Sequence, residues 1–221
     1  MKIQQYEKNS QEWLNDRVKR ITGTKLKDLI VKRGTGKKKG FYQLIADRLA
    51  KPKVQSGFIP EGYEIEDNPM ARGHRLESDA IKVFKDLMHN LTIDDTPVLC
   101  ISDENDNMAY SPDALIYDND PLIPIGTVEV KCLDGANHIE ALITKDYSDF
   151  EYQIIQGFIV NPKQEYAYLV YYNPDLTHKQ MHYILITRDE VKEKITEIQE
   201  YQNMTLTEVE DWTNKILNGE I

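Results

Sequence analysis

Two short stretches hold the residues best suited to chemistry: Ser111-Pro112-Asp113 and, sixteen positions beyond that aspartate, Glu129 within Val128-Glu129-Val130-Lys131. Hydrolysing a phosphodiester at neutral pH needs an activated water and relief of charge on the scissile phosphate. Mg²⁺ supplies both, and it prefers a few carboxylates, a backbone carbonyl and several waters. Asp113 and Glu129 are the carboxylates expected to hold such an ion, with the carbonyl of Val130 as a further ligand. Lys131 would orient or deprotonate the attacking water. In a strand, period two puts Glu129 and Lys131 on one face, roughly 6.5–7 Å apart, and Val128, Val130 and Cys132 on the other. Alternating charges also suit a plain solvated sheet face. The Pro-Asp pair upstream, and a helix bearing Glu77 before it, favour the metal site.

The elements that must position these groups follow from pattern. Ser10 caps a short helix through Trp13, and Thr22 or Thr24 caps a second running from Lys25 to Lys32, with Leu26, Leu29 and Ile30 on one face. The run Gly34-Thr35-Gly36-Lys37-Lys38-Lys39-Gly40 lacks the Gly-Lys-Ser/Thr offset of a nucleotide-binding loop. It reads as a basic loop able to lie along a DNA backbone, ahead of a helix from Phe41 to Ala50. Residues 52 to 67 show no period and read as an irregular excursion. Asn68-Pro69 opens the strongest helix, with Leu76, Ala80, Val83, Phe84, Leu87 and Met88 as its apolar stripe. Glu77 lies on or beside the core-facing side of that helix, either as a boundary residue reaching water or as an acid aimed into a cleft.

Strands are expected at Pro97 to Ile101, Met108 to Tyr117 and Thr127 to Cys132, with Asp118-Asn119-Asp120-Pro121 as turn chemistry between the last two. A helix over 148–160 carries Gln153 and Gln156, and Gln153 could hydrogen-bond Lys131 or the water. Strands at Glu165 to Tyr172 and Met181 to Thr187 precede helical sequence from Arg188 to Leu217, broken near Asn203.

Composition sets the bounds. With 221 residues, 40% of them hydrophobic, the chain suits one sizeable domain with a real core. Its parts are a basic helical segment (about 1–67), a catalytic core (about 68–187) and C-terminal helices (about 188–221). No apolar run approaches the ~18 residues of a membrane span, and the polar N-terminus is unlike a signal peptide. Two cysteines, Cys100 and Cys132, exclude a four-thiolate cluster and point away from a disulfide scaffold. A reducing cytoplasm is the expected compartment. The net charge of −10 argues at first against a polyanion, but residues 17–53 hold thirteen Lys or Arg against two Asp, a local balance of 13 − 2 = +11. Polyanion binding depends on where positive charge sits, so this segment is either a DNA-facing surface or a solvated lysine-rich face.

Taken together and in order, these residues resemble the PD-(D/E)xK nucleases, and more closely the lambda-type phage exonucleases (viral recombinase nucleases). The matching pieces are Trp13, Arg17, Ile21-Thr22, Thr24, Gly73, Glu77, Ser111-Pro112-Asp113, Glu129-Val130-Lys131-Cys132, Gln153, Tyr172-Asn173-Pro174-Asp175, His182-Tyr183 and Arg188-Asp189-Glu190. The resemblance implies an α/β, restriction-endonuclease-like fold with a central mixed β-sheet flanked by helices. It implies Mg²⁺-dependent (or Mn²⁺-dependent) 5′-to-3′ digestion of one strand of linear double-stranded DNA from its ends, leaving 3′ overhangs for phage-type recombination. A ring-shaped homotrimer, a single-strand annealing protein as partner and a bacterial host cytoplasm come with it.

Carried over residue by residue, Asp113, Glu129, Val130 and Glu77 hold metal, while Lys131 and Gln153 complete the catalytic set. Arg17, Thr24 and Ser111 meet the 5′ phosphate, and Lys37, Lys38 and Lys39 of the basic loop are the further candidates for contact with the DNA backbone. The chain departs from the family pattern at Leu133, where a proline often follows Lys-Cys, in a longer turn between Asp113 and Glu129, and in the segment just after Lys131, which lacks the arginine expected for the phosphate pocket. An endonuclease of the same fold and a catalytically silent DNA-end-binding module are the alternatives.

Overall fold

The computed structural model describes residues 1–7, 10–31, 36–51, 69–118 and 120–220. In chain order they form β1 (Lys2–Gln5), α1 (Gln11–Val18), α2 (Gly23–Leu29), α3 (Lys39–Leu49), α4 (Pro69–Leu87), β2 (Thr92–Asp94), β3 (Val98–Ile101) and β4 (Ala109–Tyr110). Then come β5 (Ala114–Tyr117), β6 (Pro124–Lys131), α5 (Gly135–Thr144), α6 (Glu151–Val160), β7 (Tyr166–Tyr172) and β8 (Met181–Thr187). A 3₁₀ turn at Asp189–Val191 leads into α7 (Lys192–Leu217).

The strand carrying Glu129 lies at the middle of a five-stranded sheet ordered β2-β5-β6-β7-β8. Its pairing with β5 is antiparallel and with β7 parallel, so the sheet is mixed, with α5 and α6 forming the crossover that a parallel pair requires. A smaller antiparallel sheet, β1-β3-β4, stands beside it.

Both faces of the large sheet are covered. On one, Ala80, Ile81 and Phe84 of α4 pack against Ala114, Ile116, Val128, Val130 and Val170. On the other, Ile154, Ile155 and Phe158 of α6 join Leu115, Ala167, Leu169 and Tyr171, and the cluster extends through Leu26, Phe41 and Leu44 to Ile195, Ile198 and Val209 of α7. The expected alternation in β6 is therefore realised: Val128, Val130 and Cys132 face α4, and Glu129 and Lys131 face α6. This is the α/β architecture of a helix-flanked mixed sheet.

Several sequence-based expectations need correction. Met108 to Tyr117 is two strands in two different sheets, because Pro112 has no N–H to continue a ladder and the Ser111 hydroxyl donates to the Val98 carbonyl at 2.7 Å. The chain crosses between sheets at Ser111-Pro112-Asp113, and Asp113 N–H restarts pairing on Val128 O at 3.0 Å. In α4 the buried set is Ala80, Ile81 and Phe84, while Val83 and Leu87 are exposed; the i, i+4 row faces the sheet and the i+3 positions drift off it. Helix α7 continues unbroken through Asn203, since Gln202, Leu206 and Val209 beside it are buried in the packed face. Strands β1 and β2, of four and three residues, are too short to show a period, and helix α5 is not among the expected elements. The excursion at 52–67 and the cap Asn68 lie outside the described residues, as do Lys32, Gly34 and Thr35 of the basic region.

Cys100 and Cys132 are free and buried, and burial pushes their thiols up to about 12 and about 11. Among the described residues no helix is long and apolar enough to cross a membrane.

Candidate active site

The functional side chains reach the site from several elements, with Glu129 and Lys131 together on β6. Asp113 sits where the chain enters the large sheet, and its carboxylate accepts the Val130 N–H at 2.8 Å. That contact extends the β5–β6 ladder by one side-chain rung. Successive groups alternate along a strand, so the N–H and C=O of Val130 point to the same side as those of Val128, toward Asp113. The carbonyl of Val130 is thus on the side where the sequence places it as a ligand.

Glu129 is almost wholly buried, at 2% exposure. One of its oxygens accepts Lys131 Nζ at 3.2 Å and the Gln153 amide; the other accepts the Tyr110 hydroxyl at 2.8 Å. Lys131 also donates to Gln153 Oε1 at 3.1 Å and lies 5.1 Å over the Phe150 ring. Burial pushes the Glu129 carboxyl up to about 7; the Lys131 charge and the hydrogen bonds from Tyr110 and Lys131 oppose that shift, and the Asp113 charge adds to it. A buried carboxylate next to a second acid is electrostatically incomplete, and a divalent cation is the group whose charge would complete it.

These residues line one cleft of about 430 Å³ together with Trp13, Arg17, Thr24, Glu77, Ser111 and Gln153. Arg17, in the last turn of α1, lies with its guanidinium 4.0 Å over the Trp13 ring. Burial lowers its pKa, while the charges of Glu129 and Asp113 oppose that shift. Thr24, at the start of α2, has its hydroxyl 3.3 Å from that of Thr22. Gly23 has a steric reason to be glycine: a Cβ there would stand 2.9 Å from Gln153 Cα, so α2 and α6 meet where the glutamine must be held.

The structure thus brings Asp113, Glu129, Val130, Lys131, Gln153, Glu77, Arg17, Thr24 and Ser111 to one cleft. The hydroxyl proton of Ser111 is already committed to Val98 O. Among the described residues no three His, Cys, Asp or Glu side chains converge as a metal cluster, so Glu77 borders the Asp113–Glu129 pair without making it a triad. Two carboxylates, a carbonyl and room for water suit Mg²⁺, which keeps several waters when bound.

Lys37, Lys38 and Lys39 do not line this cleft. Lys37 pairs with Glu208 of α7 at 2.6 Å and Lys38 donates to the Lys27 carbonyl at 2.9 Å. Other cations of the basic segment are also tied inward: Arg20 to Asp16, Lys25 to Asp47 at 3.1 Å, and Arg48 to Asn107 at 2.9 Å. Tyr110 and Phe150 were not anticipated as site neighbours. Both read in the sequence as ordinary apolar positions, and only the sheet register and the α6 docking bring them to Glu129 and Lys131.

A profile of the YqaJ-like viral recombinase domain matches residues 12–172. Among solved structures, the chain is similar to an alkaline exonuclease, LHK-Exo, from Laribacter hongkongensis. That likeness has a TM-score of 0.75 at 21% identity, covering 96% of this chain and 98% of that one. The same enzyme in complex with dAMP aligns with a TM-score of 0.69 at 22% identity, over 95% and 99% of the two chains. A phage-related exonuclease from Haemophilus somnus 129PT aligns with a TM-score of 0.52 at 15% identity, over 86% and 96%. These likenesses bear on the fold. No curated protein matches the chain by sequence.

Proposed function

The chain belongs to the YqaJ-like viral recombinase family, and from that premise we propose that it is a Mg²⁺-dependent exonuclease acting on the ends of double-stranded DNA. It degrades one strand 5′ to 3′ and leaves 3′ overhangs for phage-type recombination. The observation that carries this reading is the joining of Glu129, Lys131 and Gln153 into one hydrogen-bonded unit, beside Asp113 anchored on the Val130 N–H, in a cleft that Arg17 also lines. That structures sharing the fold are those of an alkaline exonuclease, one of them in complex with dAMP, supports it.

In this reading Asp113, Glu129 and the Val130 carbonyl would hold the cation, with Glu77 of the same cleft as a further carboxylate for it. The bound Mg²⁺ supplies charge relief on the phosphate and a more acidic water. Lys131, fixed as a donor between Glu129 and Gln153, would orient the attacking water. Arg17 meets the terminal 5′ phosphate, its guanidinium 4.0 Å over the Trp13 ring, and the Thr24 hydroxyl adds a contact, with Ser111 joining it where its proton leaves the Val98 carbonyl. The whole chain acts as one nuclease domain, assembles as a homotrimer and works in a bacterial host's cytoplasm with a single-strand annealing protein.

The test compares linear duplex with covalently closed circles, with and without Mg²⁺. Linear DNA is expected to yield mononucleotides and single strands only with the metal, while circles survive. Efficient cutting of circles would replace the exonuclease by an endonuclease of the same fold. Unchanged digestion by Asp113→Ala would leave a DNA-binding module without this active site.

A further inference from the structure

The oxygen of Glu129 that faces away from Lys131 is held by a chain of buried side chains that no cleft residue requires. Tyr110, 3% exposed at the end of β4, donates to Glu129 Oε2 at 2.8 Å. The Thr127 hydroxyl, on the same face of β6 as Glu129, stands in hydrogen-bonding contact with the Tyr110 oxygen. Thr127 Oγ1 in turn accepts the Gln164 amide at 2.8 Å. The Gln164 amide donates to Thr127 and the Tyr110 phenol donates to Glu129, with the Thr127 hydroxyl beside the phenol oxygen. The donation from the phenol favours ionised Glu129 in one rotamer, since turning the carboxylate away leaves a buried donor without an acceptor.

The packing around the phenol is equally specific. Gly157 of α6 leaves the space that the ring fills, because a Cβ there would stand 2.9 Å from Tyr110 Cε1 and 3.2 Å from Gln164 Oε1. Two members of the series would be displaced by one methyl group.

We infer that Tyr110 is a positioning residue for the metal site: braced by Thr127 and Gln164, it fixes the Glu129 carboxylate so that its coordinating geometry exists before the cation arrives. The inference rests on the nuclease reading above. Outer hydrogen bonds to metal-binding carboxylates typically contribute about 10–100-fold in affinity, and that is the size of effect expected here.

The experiment is calorimetric titration of the full-length protein with Mn²⁺ and with Mg²⁺, in the absence of DNA, alongside thermal melting. Tyr110→Phe keeps the ring in the Gly157 recess and removes only the donor. It is expected to weaken Mn²⁺ binding about 10–100-fold while circular dichroism and DNA-end affinity in Ca²⁺ stay at wild-type levels. Thr127→Val, which removes the brace and keeps the side-chain shape, is expected to weaken it by a smaller factor, and Thr127→Ser to restore it. This second pair keeps the test decisive if Tyr110→Phe melts. Wild-type binding that both Tyr110→Phe and Thr127→Val leave within twofold overturns the inference alone. A wild-type titration with no binding of either cation overturns the nuclease reading, and the inference with it.

Discussion

At Glu129 a carboxylate is buried among donors beside a second acid, an arrangement that does nothing for stability by itself. Burial pushes its proton affinity up, so an ionised Glu129 works against the fold until a cation arrives. Glu129→Gln keeps the shape and one acceptor oxygen, removes the charge, and puts an amide donor where the second carboxylate oxygen accepted. It is expected to reduce digestion by about three orders of magnitude, equivalent to ~4 kcal/mol of transition-state stabilisation. The melting temperature of the metal-free protein at pH 8 should stay level or rise. A variant that loses activity only because it unfolds would show the reverse.

Arg17 is the matching test for the substrate. Its guanidinium stacks on Trp13 in the cleft, and a charge-assisted bond to a terminal phosphate would be made only when that phosphate is present. Arg17→Ala should slow digestion of 5′-phosphorylated ends about tenfold or more while unphosphorylated ends change little. Equal loss on both substrates would remove the terminal-phosphate role.

The elements matter because the site is assembled where four of them end. Helices α2 and α6 approach so closely at Gly23 that Gln153, the residue bridging Lys131 and Glu129, has no slack. Gly23→Ala is expected to displace Gln153 and lower the turnover number by on the order of tenfold to a hundredfold, read in steady-state digestion of linear DNA. KM for DNA should change far less.

A second element-scale feature lies one strand further across the sheet. Tyr171 is in register with Lys131 on one side and with His182 on the other. His182 stacks on Tyr171 at 4.7 Å and meets His138 of α5 edge-on at 4.6 Å. Burial first, with the neighbouring His138 and Lys179 charges adding to it, lowers the His182 pKa to about 4. An unfolded chain therefore binds this proton at higher pH than the native one. Stability supplied by neutral His182 is full above about 6.5 and is lost as pH falls from there toward about 4. The expected result is a falling melting temperature across that window, with the fall reduced in His182→Gln. A slope unaffected by the substitution would assign the acid sensitivity to other groups.

For the whole molecule, the charge asymmetry read along the chain is partly spent within it. Thirteen cations stand in residues 17–53, yet Arg20, Lys25 and Lys37 have carboxylate partners and Lys38 and Arg48 are tied to neutral acceptors. A cation already paired releases few counterions when DNA arrives. If all thirteen met phosphates, log K against log salt would fall with a slope of about −12. A slope much shallower than that is expected from binding isotherms on duplex ends in Ca²⁺ at several salt concentrations. A slope near −12 would mean that the internal pairs open on binding.

Much of the site was legible before any coordinates. Alternation in Thr127 to Cys132 assigns Glu129 and Lys131 to one face whatever the sheet around them, because period two is a property of the strand itself. The ordered set from Arg17 to Gln153 likewise names nearly every residue lining the cleft. The sequence could not show that Met108 to Tyr117 changes sheets at Pro112, since a local pattern does not report which partner a backbone N–H will find. Nor could it show that Lys37 turns toward Glu208, 171 residues away, or that the phenol of Tyr110 supports Glu129. Those outcomes depend on which surfaces meet when α6 and α7 dock on the sheet. The chemical types and their strand faces were therefore determined by the sequence alone. Which charges remained available, and what held the acid in place, were decided by tertiary packing, because both depend on partners far away along the chain.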